Sequence, residues 1–206
     1  MKVIGLTGGI SSGKSTVSAM LRELGGYIID IDALARRVVE PGQPAWEKIR
    51  DFFGPVVFCG DGTINRQVLG DIVFRDEAAR NMLESITHPP IAALAADEVR
   101  KAAQEGFAVA VLDAPLLIEA GWHTAVDAVW LVYVDADRQL ARLVKRDGLT
   151  IEQALARIGA QMSLEDKLVY ADVAIHNGGS QDDTRRQVEE AWRDLLQTVE
   201  EACFTP

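Results

Sequence analysis

Gly8-Gly9-Ile10-Ser11-Ser12-Gly13-Lys14-Ser15 matches the pattern G-x-x-x-x-G-K-S at every fixed position, the signature of a loop that wraps backbone N–H groups around phosphate. Its flanks have the order such a loop needs. Residues 2–7 are an apolar run that reads as a buried strand, and residues 16–24 carry helix formers at apolar spacing. Glycine lets the backbone curl around an anion. Lys14 sets a cation between the outer phosphates, and the Ser15 hydroxyl is placed to ligate the magnesium they carry. The chain is expected to bind a nucleoside triphosphate.

The 206 residues, 48% of them hydrophobic, suffice for one large α/β domain with a helical insertion and are too few for two independent cores. Acidic residues number 31 against 21 basic, a formal charge of −10, which argues against a general attraction to nucleic acid or anionic lipid. One region departs from this balance. Between residues 138 and 167 the six bases Arg138, Arg142, Lys145, Arg146, Arg157 and Lys167 outnumber the acids Asp147, Glu152, Glu165 and Asp166, as a cover for a polyanionic ligand would. Cys59 and Cys203 lie far apart with no C-x-x-C and no partnered His, so neither zinc nor a disulfide framework is indicated. The chain enters a strand at once and has no apolar run of membrane length. A soluble protein of the cytoplasm is expected.

Strand-like runs recur at residues 3–7, 27–30, 107–113, 126–134 and 172–176, mostly separated by helical patterns. That alternation predicts a five-stranded parallel sheet with helices on both faces, whose ligands collect at the carboxyl ends of the strands. Residues 33–106 are too long for one crossover helix and are punctuated by Pro41-Gly42, Gly54-Pro55 and Gly60-Asp61-Gly62, so they read as a helical insertion. Asn65 and Asp76 are placed as N-caps, and His88-Pro89-Pro90 as the end of one helix and the start of the next. Thr150 with Gln153 has the capping-box form, and Ser163 with Asp166 a variant of it. These two short helices would carry the basic segment as a lid.

Phosphoryl transfer needs a donor cradle, a metal, cations over the transferring group, and a residue that orients the acceptor hydroxyl. Asp30-Ile31-Asp32 sets two carboxylates at a strand end; Asp32 is placed either to receive the hydroxyl proton or merely to cap the following helix. Asp113 closes an apolar run that resembles a Walker B strand, whose carboxylate assists magnesium; a turn with Pro115 is the plainer reading. Arg142 and Arg146, four apart, leave one helix face, as a phosphate clamp or as a solvated basic face. His88 is read equally as a helix-start hydrogen bonder or a ligand contact. His123 and His176 carry no assignment, and the tryptophans are expected in packing contacts.

Taken in order, these segments resemble the dephospho-CoA kinase family. The similarity runs from about Val3 to Trp192 and rests on the phosphate loop, Asp30-Ile31-Asp32 with Ala35-Arg36, Asp61 to Arg66, and His88-Pro89. It continues through Leu112 to Glu119, Gln139 to Arg142 with Arg146-Asp147, Ala160-Gln161-Met162, and Ala171-Asp172 with Asn177. The resemblance implies a three-layer P-loop kinase fold that phosphorylates the ribose 3′-hydroxyl of dephospho-CoA with ATP and magnesium, giving coenzyme A and ADP. It implies a core of residues 1–32 and 107–206, an acceptor-binding helical insertion of residues 33–106 and a lid of residues 142–170. Asp32 then matches the proposed base, and Lys14, Arg142 and Arg146 join it in catalysis. Gly9, Ile10, Ser11, Ser12, Gly13, Lys14, Ser15, Thr16 and Asn177 would bind ATP, the last at adenine or its ribose. Thr7, Asp32, Arg66, His88, Pro115 and Leu116 would meet dephospho-CoA, and Ser15 and Asp113 the metal. The expected state is a monomer or weak homo-oligomer without nucleic-acid or membrane partners.

Ser11 stands where such loops usually carry Gly, Ile31 replaces a small residue between the two carboxylates, and Ala114 with Ile118 vary an apolar segment. None removes a reacting group. A switch GTPase would need an N-K-x-D motif, which the chain lacks; Asp51-Phe52-Phe53-Gly54 spells D-x-x-G but follows a helical pattern. A kinase of the same architecture acting on a nucleoside or sugar acid is the nearer alternative. Only the resemblance separates it from the reading above.

Overall fold

Five runs rich in valine, isoleucine and leucine are the strands of one sheet. The computed structural model describes residues 1–204, with side chains through residue 199. The elements run β1 (Lys2–Gly8), α1 (Lys14–Glu23), β2 (Tyr27–Asp30), α2 (Ile31–Arg37), α3 (Pro44–Phe53), α4 (Arg66–Arg75), α5 (Glu77–Gln104) and β3 (Val109–Asp113), then β4 (Ala128–Tyr133), α6 (Ala136–Asp147), α7 (Ile151–Gly159), α8 (Leu164–Leu168), β5 (Val173–His176) and α9 (Gln181–Phe204). Strand order is β2-β3-β1-β4-β5, all parallel. β1 lies in the middle, Leu6 registering with Asp113 of β3 and with Trp130 of β4.

Side-chain alternation divides the central strands between two buried faces. Ile4, Leu6, Val109, Val111, Trp130 and Val132 face a core completed by Val17, Met20 and Leu21 of α1 and by Val188 and Trp192 of α9. Trp130 and Trp192 meet edge to face, ring centres 6.5 Å apart. Gly5 faces the other way, where a Cβ would stand 2.5 Å from Leu117. The missing side chain is what lets Leu117 pack on β1.

By contacts the chain divides into two compact units, residues 1–29 with 101 onward, and Asp30–Arg100. The second has its own core of Ala45, Ile49, Val57, Leu69 and Ile86. Its helices start where short polar side chains satisfy free N–H groups: Asn65 accepts from Val68, and Asp76 from Ala79. Thr150 forms the full capping box with Gln153, and Ser163 caps α8. Among the described residues no helix is long and apolar enough to cross a membrane.

Two expectations need correction. α5 runs unbroken through Pro89 and Pro90. The two rings remove the donors that would serve Ser85 and Ile86, and the burial of neighbouring Ile86, Ile91 and Ala95 offsets that loss. The α2 cap is Asp30, whose carboxylate accepts from Ala33 N–H at 2.9 Å. Asp32 lies inside the first turn, so its capping role lapses. Cys203 lies outside the described side chains.

Candidate active site

Between β1 and α1 the phosphate loop turns on Ser11 (φ 58°) and Gly13 (φ 89°), and Ser11 is the one non-glycine residue with positive φ among those described. Gly13 also lacks room for a side chain, because a Cβ would lie 2.0 Å from Asn177 Nδ2. A left-handed serine costs about 1–2 kcal/mol, of which glycine's extra chain entropy returns roughly half. Ser11→Gly is therefore expected to raise Tm by about 1–4 °C; a fall in the thermal melt would show that the serine hydroxyl contributes more than its strain costs.

The loop is held from behind. Ser12 C=O accepts from Asn177 Nδ2 at 2.8 Å and from Arg142 Nη1 at 3.5 Å. Arg142 Nη2 donates to Asn177 C=O at 3.0 Å, and Thr184 donates its hydroxyl to Asn177 Oδ1 at 2.9 Å. Arg142 and Asn177, expected on the ligand, are thus engaged with the loop's own backbone. In this structure the two arginines hold different partners. Arg146 forks onto Asp147 at 2.7 and 3.1 Å, and Arg157 reaches the same carboxylate at 3.0 Å. The Arg146 hydrogen bond, then the two positive charges, hold Asp147 below the usual carboxylate range. A carboxylate one residue away captures Arg146, whatever face it leaves.

Two glutamines grip Ile10. Gln161 Oε1 accepts from Ile10 N–H at 2.8 Å, and Gln139 Nε2 donates to Ile10 C=O at 2.9 Å. Neither carried an assigned role in the sequence, because a glutamine's partner is set by folding rather than by local pattern.

What remains inside the loop suits a polyphosphate. No side chain caps α1, and its first turn holds no acid; Thr16 N–H donates to Gly13 C=O at 2.9 Å, so the N–H groups of Lys14 and Ser15 and the positive helix end are left for an anion. Buried Ser11 Oγ and Ser12 Oγ have no hydrogen-bond partner. Lys14 Nζ is paired with Asp113 Oδ1, and Ser15 is exposed one residue further along α1. A serine hydroxyl and a carboxylate are hard oxygen donors of the kind magnesium takes.

The residues after β3 are tied to α8 and to the segment that precedes it. Pro115 C=O accepts from the Thr7 hydroxyl at 3.1 Å and from Lys167 Nζ at 3.4 Å. Lys167, only 1% exposed, pairs with Glu119 at 2.8 Å, which also takes Met162 N–H at 3.3 Å. Counted with the covering cations in the sequence, Lys167 is instead a buried strut. Lys167→Met leaves Glu119 with Met162 N–H alone, its charge uncompensated, and Pro115 C=O with the Thr7 hydroxyl alone, and is expected to cost about 2–4 kcal/mol in urea unfolding. Adding Glu119→Gln should cost less than the sum of the two single changes. A loss below about 0.5 kcal/mol would make Lys167 an ordinary surface lysine.

The family model for dephospho-CoA kinase matches residues 2–183. A relative from Symbiobacterium thermophilum named dephospho-CoA kinase is 53% identical over 94% of this chain and 81% of its own. The chain belongs to the dephospho-CoA kinase family. It shares its fold with a solved Thermus thermophilus protein (TM-score 0.83, 34% identity, 94% of this chain and 97% of that one). It also matches the solved dephospho-CoA kinase from Campylobacter jejuni (TM-score 0.69, 30% identity, 95% and 98%). The architecture described above is therefore the P-loop kinase fold.

In this family member the remaining expected residues fall in the second unit, apart from exposed Leu116 beside Pro115. Asp32 is exposed on α2, and His88 is half-buried within continuous α5. Arg66 begins α4 and lines a cavity of about 250 Å³ with Thr87 and apolar Val39, Ile49, Leu69 and Val73. A second cavity of about 400 Å³ carries Arg37 and Lys48. Neither cation was singled out from the sequence, since lone basic residues on amphipathic helices read as solvated.

Proposed function

We propose that this kinase transfers the terminal phosphoryl group of ATP to the ribose 3′-hydroxyl of dephospho-CoA, giving coenzyme A and ADP, in the cytoplasm and as a monomer or weak homo-oligomer. The observation that carries the reading is a complete phosphate loop, uncapped and lined with unpartnered hydroxyls, within a chain that matches the dephospho-CoA kinase family model over residues 2–183.

Residues 9–16 receive the triphosphate, the N–H groups of Gly13, Lys14 and Ser15 and the Ser11 and Ser12 hydroxyls on its oxygens, while Ile10 N–H stays on Gln161. Lys14 exchanges Asp113 for the outer phosphates. Ser15 and the released Asp113 would hold magnesium, which when bound draws off charge from the transferring group. Arg142 and Arg146 supply further positive charge, and the second Nδ2 hydrogen of Asn177 is left for the nucleoside. Asp32 orients the acceptor hydroxyl and takes its proton late in a loose transition state. Arg66 and His88 bind the acceptor, as do Thr7, Pro115 and Leu116.

ADP release in a coupled assay is expected to need ATP, magnesium and dephospho-CoA together. ATP turnover indifferent to dephospho-CoA, or dependent on a nucleoside or sugar acid instead, would overturn the substrate assignment.

A further inference from the structure

Ile10 is the only loop residue whose two backbone polar groups are both held by side chains from elsewhere in the unit. Its N–H can only donate and its C=O can only accept, so the orientation of both amides is forced: the Gln161 oxygen and the Gln139 nitrogen face the loop. These two bonds fix successive peptide planes on either side of the Ile10 Cα. The second plane leads directly into Ser11, which the chain must keep at φ 58° with no glycine to ease it.

The two grips differ in what lies behind them. Gln139 is on α6, a regular helix. Gln161 lies in the short segment between α7 and α8, whose next residue, Met162, donates to Glu119 and whose α8 is pinned by buried Lys167. A cavity of about 70 Å³, lined by Gly9, Ser12, Gln139, Gln161, Met162 and Lys167, lies beside the contact. It leaves Gln161 room to disengage.

We propose that Gln161 is a positioning residue that couples the lid segment to the phosphate loop: docking of residues 160–163 stabilises the anion-binding form of the loop, and the triphosphate in turn favours docking. This rests on the loop binding ATP, as proposed above. Thermodynamic linkage makes the effect reciprocal, and a single neutral hydrogen bond sets its size at about fivefold.

The test is calorimetric titration of the holochain with a non-hydrolysable ATP analogue and magnesium, paired with hydrogen exchange of the Ile10 amide and of residues 160–163. In wild type the analogue should bind and slow exchange in 160–163. Gln161→Leu should bind about fivefold more weakly, lose Ile10 protection and lose the nucleotide effect on the segment. Gln161→Glu keeps an acceptor oxygen and should keep Ile10 protected without nucleotide; Gln139→Glu removes the donor to the Ile10 C=O, not the acceptor of its N–H, and should also leave Ile10 protected. Tight binding and protected Ile10 in Gln161→Leu would overturn the coupling alone. No binding by wild type would overturn the triphosphate reading and the coupling with it.

Discussion

Replacing Lys14 by Ala is expected to lower kcat/KM for ATP by about a thousandfold, the scale seen when one fixed positive group is removed from a phosphoryl-transfer site. The ammonium is the only cation paired inside the loop, bonded to Asp113 with 21% and 12% of the two side chains exposed. Taking it away removes the charge that meets the outer phosphates and leaves Asp113 to repel them. Stability should change far less, because a partly exposed pair returns little beyond its desolvation cost. Lys14→Arg should not rescue, since a broad guanidinium cannot take the place of a point charge in a tight loop. Steady-state kinetics beside thermal melts checks this; activity within tenfold of wild type would remove Lys14 from the chemistry.

Asp32→Asn should reduce kcat by about 10²–10⁴, the usual contribution of a positioned general base, with KM for ATP nearly unchanged. The fold makes this a clean comparison. Asp30, not Asp32, caps α2, so Asp30→Ala should cost about 1 kcal/mol of stability, whereas Asp32→Asn keeps that cap. Unchanged turnover in Asp32→Asn would leave the carboxylate no role in proton transfer, and a large drop in Tm would reassign it to structure.

Patterns with a short range were legible in the sequence. The apolar runs of β1, β3 and β4, the glycine loop, and the caps at Asn65, Asp76, Thr150 and Ser163 depend on neighbours within a few residues, so the chain encodes them locally. Differences arose where burial and ion pairing outweigh the local pattern. Buried isoleucines carry α5 across two prolines. Asp147 claims Arg146, and Glu119, 48 residues upstream in the chain, draws Lys167 out of solvent. Ser11 is unusual for its place in the loop, and its left-handed backbone is the physical form of that departure. The grips of Gln139 and Gln161 on Ile10 had no local signature, because each joins residues more than 120 positions apart.

The central claim is most directly tested by mass spectrometry of the products formed from ATP, magnesium and dephospho-CoA, run beside adenosine, nucleosides and sugar acids as competing acceptors. The account predicts one phosphorylated product, identical to coenzyme A with its phosphate on the ribose 3′ oxygen. Phosphate on any other acceptor, or on another position of dephospho-CoA, would contradict it.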